Sequence, residues 1–135
     1  MKLTNNFTLE EFTRSNNAGR MGINNEPDAG QIADLQKLCI RLLQPLRDIY
    51  GEPFYINSGF RSPELNRLVG GVPSSQHTKG QAADVRVKDP RRLLTELLRS
   101  GLDFDQAILY PTFLHLSYNV TNNCKQVLYA KGVRP

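Results

Sequence analysis

Apolar residues recur at helical spacing through the first half of the chain. Ile32, Leu35, Leu38, Cys39, Leu42, Leu43, Leu46 and Ile49 follow the i, i+3, i+4, i+7 template. This predicts an amphipathic helix over 28–50, with Asp28 and Gln31 as a cap pair and Gly51 as its stop. Pro45 falls inside that run. It has no N–H and its ring crowds the carbonyl four residues back, at a cost of about 3 kcal/mol in a straight helix, so a kink or short final segment is expected there.

Shorter helices announce themselves by their ends. In 7-FTLEEF-12, Thr8 caps, Glu11 completes a capping box and Phe7 staples onto Phe12. Ser62-Pro63 with Gly70, and Asp89-Pro90 with Gly101, each bracket a helix with proline at its start and glycine past its end. Strand-like runs occupy 54–58, 82–87, 106–110, 113–118 and 125–129. The turn-rich stretch 15-SNNAGRMGINNEP-27 reads as an extended surface loop. The fold class is α+β, a small antiparallel sheet with helices packed on one face.

Composition narrows this picture. At 135 residues the chain suits a single domain over 1–135, long enough to bury a core and too short for two. No window approaches the roughly 18 apolar residues of a membrane span. The N-terminus MKLTNNFTLEEF has no apolar h-region and no cleavage site, so cytoplasmic synthesis without a signal peptide is expected. Cys39 sits in a helical pattern and Cys124 in a polar loop, and both read as free thiols. A net charge of +4 suits nucleic acid or an anionic wall polymer. The arginines are scattered, with one adjacent pair and no interleaved aromatics, which argues against nucleic acid.

The candidate chemistry follows from strand alternation. In 82-AADVRV-87, Ala83, Val85 and Val87 share one face and Asp84 the other. In 113-FLHLSY-118, Leu114, Leu116 and Tyr118 share one face and His115 the other. If the aliphatic faces pack on helices, Asp84 and His115 both point away from that core, and His77 arrives on the loop before the Asp84 strand. Two imidazoles and a carboxylate, with a position left for water, are the ligand set of a catalytic zinc, which activates water near neutral pH and polarises a carbonyl. An H-x6-D spacing also arises by chance, and alone it does not choose between a metal site and ordinary surface or core histidines.

A wider pattern surrounds these residues. Ser75-x-His77-x-x-Gly80-x-Ala82-x-Asp84, preceded by 58-SGFRSPELN-66 and followed by His115 in LHLSY, closely resembles the zinc D-Ala-D-Ala carboxypeptidase family, which includes D,D-dipeptidases and phage endolysins. The resemblance runs over residues 7–118, and the FTLEEFTRS segment is similar to the small phage or prophage branch. It implies a hedgehog- and D,D-peptidase-like fold with a zinc cleft on the sheet face opposite the helices. Position by position, it implies that His77, Asp84 and His115 bind Zn2+ and that Arg61 holds a carboxylate or developing oxyanion of a peptidoglycan stem peptide. Ser75 and Gln76 would be neighbours touching the metal site or the substrate. It further implies a monomer acting on cell wall in lysis or remodelling, released by a holin-type route.

One position departs from the family pattern. Relatives commonly carry a glutamate three residues before the last histidine, as general base on the zinc water. Here that position is Thr112, and the nearest upstream carboxylates are Asp105 and Asp103. Asp105 is the candidate base, and a non-catalytic zinc-containing wall-binding module of the same fold is the alternative.

Overall fold

The local signals at Thr8, Asp28, Ser62 and Asp89 take the form that the capping rules require. In the computed structural model, which describes residues 1–135 with the side chains of 16–18 excepted, a two-stranded antiparallel ribbon of β1 (Lys2–Thr4) and β2 (Phe7–Thr8) leads into α1 (Leu9–Thr13). The Thr8 N–H donates to Glu11 Oε2 at 2.7 Å, and the Phe7 and Phe12 rings lie 6.1 Å apart as the predicted staple. The expected loop over 15–27 is corrected at its start by α2 (Asn16–Met21). Asn and Gly have low helix propensity, so composition concealed this helix.

The long apolar run becomes three segments: α3 (Ala29–Leu38), a π turn over Cys39–Leu43 and α4 (Gln44–Tyr50). Asp28 and Gln31 exchange both capping bonds at 2.8 Å. The Gln44 N–H reaches back five residues to the Cys39 carbonyl. That wider turn lets Pro45 enter the start of α4, where its missing N–H leaves no hydrogen bond broken in a regular ladder. The predicted short final segment is therefore α4, and the widened turn sits just ahead of the proline.

The strands are β3 (Tyr55–Ser58), β4 (Ala82–Arg86), β5 (Gln106–Leu109), β6 (Phe113–Ser117) and β7 (Gln126–Tyr129). They form one sheet in the order β3-β4-β6-β5-β7. All pairs are antiparallel except β5 with β7, which corrects the expectation of a purely antiparallel sheet. β6 is flanked by β4 and β5, so the chain that reverses after β6 takes the adjacent outer edge, that of β5, and runs parallel to that strand.

One face of the sheet carries Ala83, Val85, Ala107, Leu109, Leu114 and Leu116, all buried. It packs on Leu35, Leu38, Leu42 and Leu46 of the long helical run and on Leu93 and Leu97 of α6 (Pro90–Ser100). α5 (Pro63–Leu68) follows β3, capped by Ser62, whose Oγ accepts the Leu65 N–H at 3.2 Å. Among the described residues, no helix is long and apolar enough to cross a membrane.

Candidate metal site

The central strand pair sets the site. β4 and β6 run antiparallel with Asp84 directly opposite His115. Their neighbours in sequence, Val85 and Leu114, lie on the buried face, so alternation turns Asp84 and His115 to the other side. His115 Nδ1 lies 2.8 Å from Asp84 Oδ1.

His77 arrives from a 3-10 turn over Gln76–Lys79. Ser75 caps that turn by accepting the His77 N–H at 3.2 Å, and Gly80 closes it at φ +74°. His77 Nδ1 lies 2.7 Å from the Gly59 carbonyl, which can only accept, so Nδ1 carries a hydrogen and Nε2 is the nitrogen left to meet Asp84 or a metal. That free nitrogen faces Asp84 Oδ1 at 3.4 Å. The two imidazoles are 5.1 Å apart, and one ligand atom from each of His77, Asp84 and His115 lies within 4.8 Å of the others.

This donor set fits zinc. Bonds of about 2.0–2.1 Å in a tetrahedron place ligand atoms roughly 3.4 Å apart, the separation found between His77 Nε2 and Asp84 Oδ1. Three N/O donors beside an open cleft leave a fourth position for water or substrate. Burial alone would push the Asp84 carboxyl up. Hydrogen bonds from His115 and His77, with their charge, outweigh it and hold the group well below the usual carboxylate range. Asp84 is thus available as an anionic ligand.

The three residues line a cleft of about 450 Å³ together with Arg61, Gln76, Tyr110 and Phe113. Arg61 and Asp84 also line a second cavity, of about 400 Å³, on the side of Arg14. Burial lowers the Arg61 pKa and the charge of Asp84 opposes that shift. Arg61 Nε is buried with no hydrogen-bond partner among the described residues. A buried donor left unpaired costs about 1–3 kcal/mol, which an incoming oxygen ligand would recover.

Other sequence-level candidates are placed differently. Ser75 reaches the cleft, but its hydroxyl is engaged by the His77 amide. Gln76 lines the cleft and donates through Nε2 to Asp105 Oδ2 at 3.0 Å. The other oxygen of Asp105 accepts the Cys124 N–H at 3.0 Å, and Asp105 is not among the cleft-lining residues. Asp103 is exposed and pairs with Lys125 at 3.6 Å. Thr112 is exposed at the bend of the β5–β6 hairpin, which the Tyr110 N–H closes onto the Phe113 carbonyl at 3.0 Å. Among the described residues, Asp84 is the one carboxylate lining the cleft.

Sequence reasoning passed over Tyr110 and Phe113, whose rings stack at 4.4 Å and 10° on the cleft wall. Alternation along the strand already puts Phe113 on the face of His115, and the same rule carried along β5 leads to Tyr110; neither was given a role in the site. It also passed over Asn25, a buried amide below the Arg61 segment.

Comparison with known proteins agrees with this geometry. The family model for peptidase M15 matches residues 5–117, a span containing Arg61, His77, Asp84 and His115. The chain belongs to the peptidase M15 family. The zinc D-Ala-D-Ala carboxypeptidase of Streptomyces albus G is 35% identical over 81 residues. That match covers 59% of this chain and 31% of the relative, so the chain spans about a third of the relative's length.

Proposed function

We propose that the protein is a zinc metallopeptidase that hydrolyses peptide bonds in peptidoglycan stem peptides, as a single-domain monomer of the phage or prophage type active in lysis or wall remodelling. The observation that carries this reading is the convergence of His77 Nε2, Asp84 and His115 Nδ1 on an open cleft that Arg61 also lines. His77, Asp84 and His115 would hold the zinc. Zinc so held supplies Lewis acidity toward a peptide carbonyl and water.

The chain's own residues supply the rest. The Gly59 carbonyl fixes the His77 tautomer, as an outer partner commonly does for a ligating imidazole. The planar Arg61 fork suits a substrate carboxylate, or the oxyanion that develops as the carbonyl is attacked. Tyr110 and Phe113 offer an apolar wall beside the reacting peptide. Gln76, held by Asp105, presents its remaining polar atoms to the cleft. With both its oxygens engaged, Asp105 serves here to hold Gln76 and the 124 amide, and the proton from water leaves to solvent or to the substrate.

One observation favours the second reading, a non-catalytic zinc-containing module that binds cell wall. The cleft holds no carboxylate beyond the metal ligand Asp84 among the described residues. A positioned base contributes about 10²–10⁴-fold in rate, so the expected activity is slower than that of glutamate-bearing relatives by a factor of that order. The test is release of peptide from purified peptidoglycan of several wall chemotypes, alongside elemental analysis. The native protein should carry one zinc per chain and release peptide, and His77→Ala should lose both. Stoichiometric zinc without release would leave the binding module, and zinc retained in both His77→Ala and His115→Ala would refute the ligand set.

A further inference from the structure

The stretch Gly59–Ser62 is tied down at every peptide. The Gly59 carbonyl meets His77 Nδ1 at 2.7 Å, the Phe60 N–H donates to the Phe12 carbonyl at 2.7 Å, and the Arg61 N–H donates to the His77 carbonyl at 3.0 Å. Two further bonds come from a single side chain. Asn25 Nδ2 donates to the Phe60 carbonyl at 3.1 Å, and Asn25 Oδ1 accepts the Ser62 N–H at 2.7 Å. These groups belong to the two planar peptides on either side of the Arg61 α-carbon. Holding both planes fixes φ and ψ of Arg61, and with them the direction in which its side chain leaves the backbone.

A carboxamide can do this because it both donates and accepts, and one plane presents an acceptor and the other a donor; a carboxylate lacks the donor. The second hydrogen on Asn25 Nδ2 is also used, at 2.9 Å to the Thr13 carbonyl at the end of α1. Asn25 is buried, and its two donors and its acceptor are all engaged. We propose that Asn25 is the positioning residue for Arg61, aiming the guanidinium into the metal cleft from a segment 36 residues upstream. The inference rests on the anion-holding role given to Arg61 above.

The experiment uses the zinc-loaded full chain with Asn25→Asp and Asn25→Ala. Asn25→Asp keeps the volume and the acceptor for Ser62 but loses both donors, and it carries the test if Asn25→Ala fails to fold. The first measurement is the heteronuclear ¹⁵N NOE of Arg61 Nε, which needs no substrate. It should fall from a rigid to a mobile value in the variants, while zinc stoichiometry stays at that of the native protein. The second is calorimetric titration of a stem-peptide fragment ending in D-Ala, as free acid and as C-terminal amide. Native protein should prefer the acid, and the variants should lose about tenfold or more of that preference, consistent with a misaimed charged hydrogen bond. In an Arg61→Ala background, Asn25→Asp should change the acid-to-amide ratio no further.

A purely structural amide would lower the melting temperature and leave both readouts unmoved. An unchanged Arg61 Nε NOE in a folded, zinc-retaining Asn25→Asp protein overturns the proposal. Absence of acid preference in the native protein would count against the role of Arg61 instead, and the NOE would still decide whether Asn25 positions it.

Discussion

Asp105 shows how a residue's role depends on what it touches. By sequence it is the nearest upstream carboxylate to the missing base, yet its oxygens hold Gln76 Nε2 and the Cys124 amide. The same carboxylate acts on a thiol. Its hydrogen bond, and then its charge, raise the pKa of the exposed Cys124, whereas burial, and then the charge of Glu11, push the Cys39 thiol far up. The thiolate is the reacting form, so native protein treated with an alkylating reagent should label at Cys124 and spare Cys39 until unfolded. Asp105→Asn should speed labelling of Cys124, because removing the anion lowers that thiol's pKa. Mass spectrometry of a labelling time course reads both, and equal native rates at the two cysteines would refute the assignment. That both thiols are free was legible from their sequence settings. Their ordering was not, because it depends on contacts with residues far along the chain.

Elements meet the site through a few close approaches. Gly80 closes the His77 turn at φ +74°, and a Cβ there would lie 2.5 Å from the Gln31 carbonyl of α3. Gly101 has nearly the same φ, +75°, but a methyl group on its α-carbon would meet nothing within 4 Å. Gly101→Ala should therefore cost only the left-handed conformation, about 1–2 kcal/mol. Gly80→Ala adds the clash, should cost measurably more in urea denaturation, and should weaken zinc binding by displacing His77. Equal costs at the two sites would show that the turn is free to move off α3. The helix ends were readable because caps act within three or four residues, as at Thr8–Glu11 and Asp28–Gln31. The position of the π turn was not, since proline disfavours a regular helix without dictating which upstream turn widens, here Cys39–Leu43.

For the molecule as a whole, metal and fold are linked. The proposed ligands come from the 3-10 turn, β4 and β6 and assemble only in the folded chain, so zinc bound by them would stabilise it. Free zinc a hundredfold above its Kd adds about 2.7 kcal/mol, which corresponds to a fall in melting temperature of roughly 10 °C on chelation for a chain of this size. His77→Ala should melt low and ignore the chelator, as scanning calorimetry would show, and an unchanged native melting temperature would refute the linkage. The five strands of the large sheet, the capped helix starts at Thr8, Asp28, Ser62 and Asp89, and the shared face of Asp84 and His115 were legible in the sequence, because period-two alternation and capping are short-range rules. The strand order β3-β4-β6-β5-β7, the parallel edge of β7, the Asp84–His115 register and the grip of Asn25 on the Arg61 segment were decided by the folded chain. They join groups tens of residues apart, and no local pattern specifies which distant donor will meet which acceptor once the core has closed.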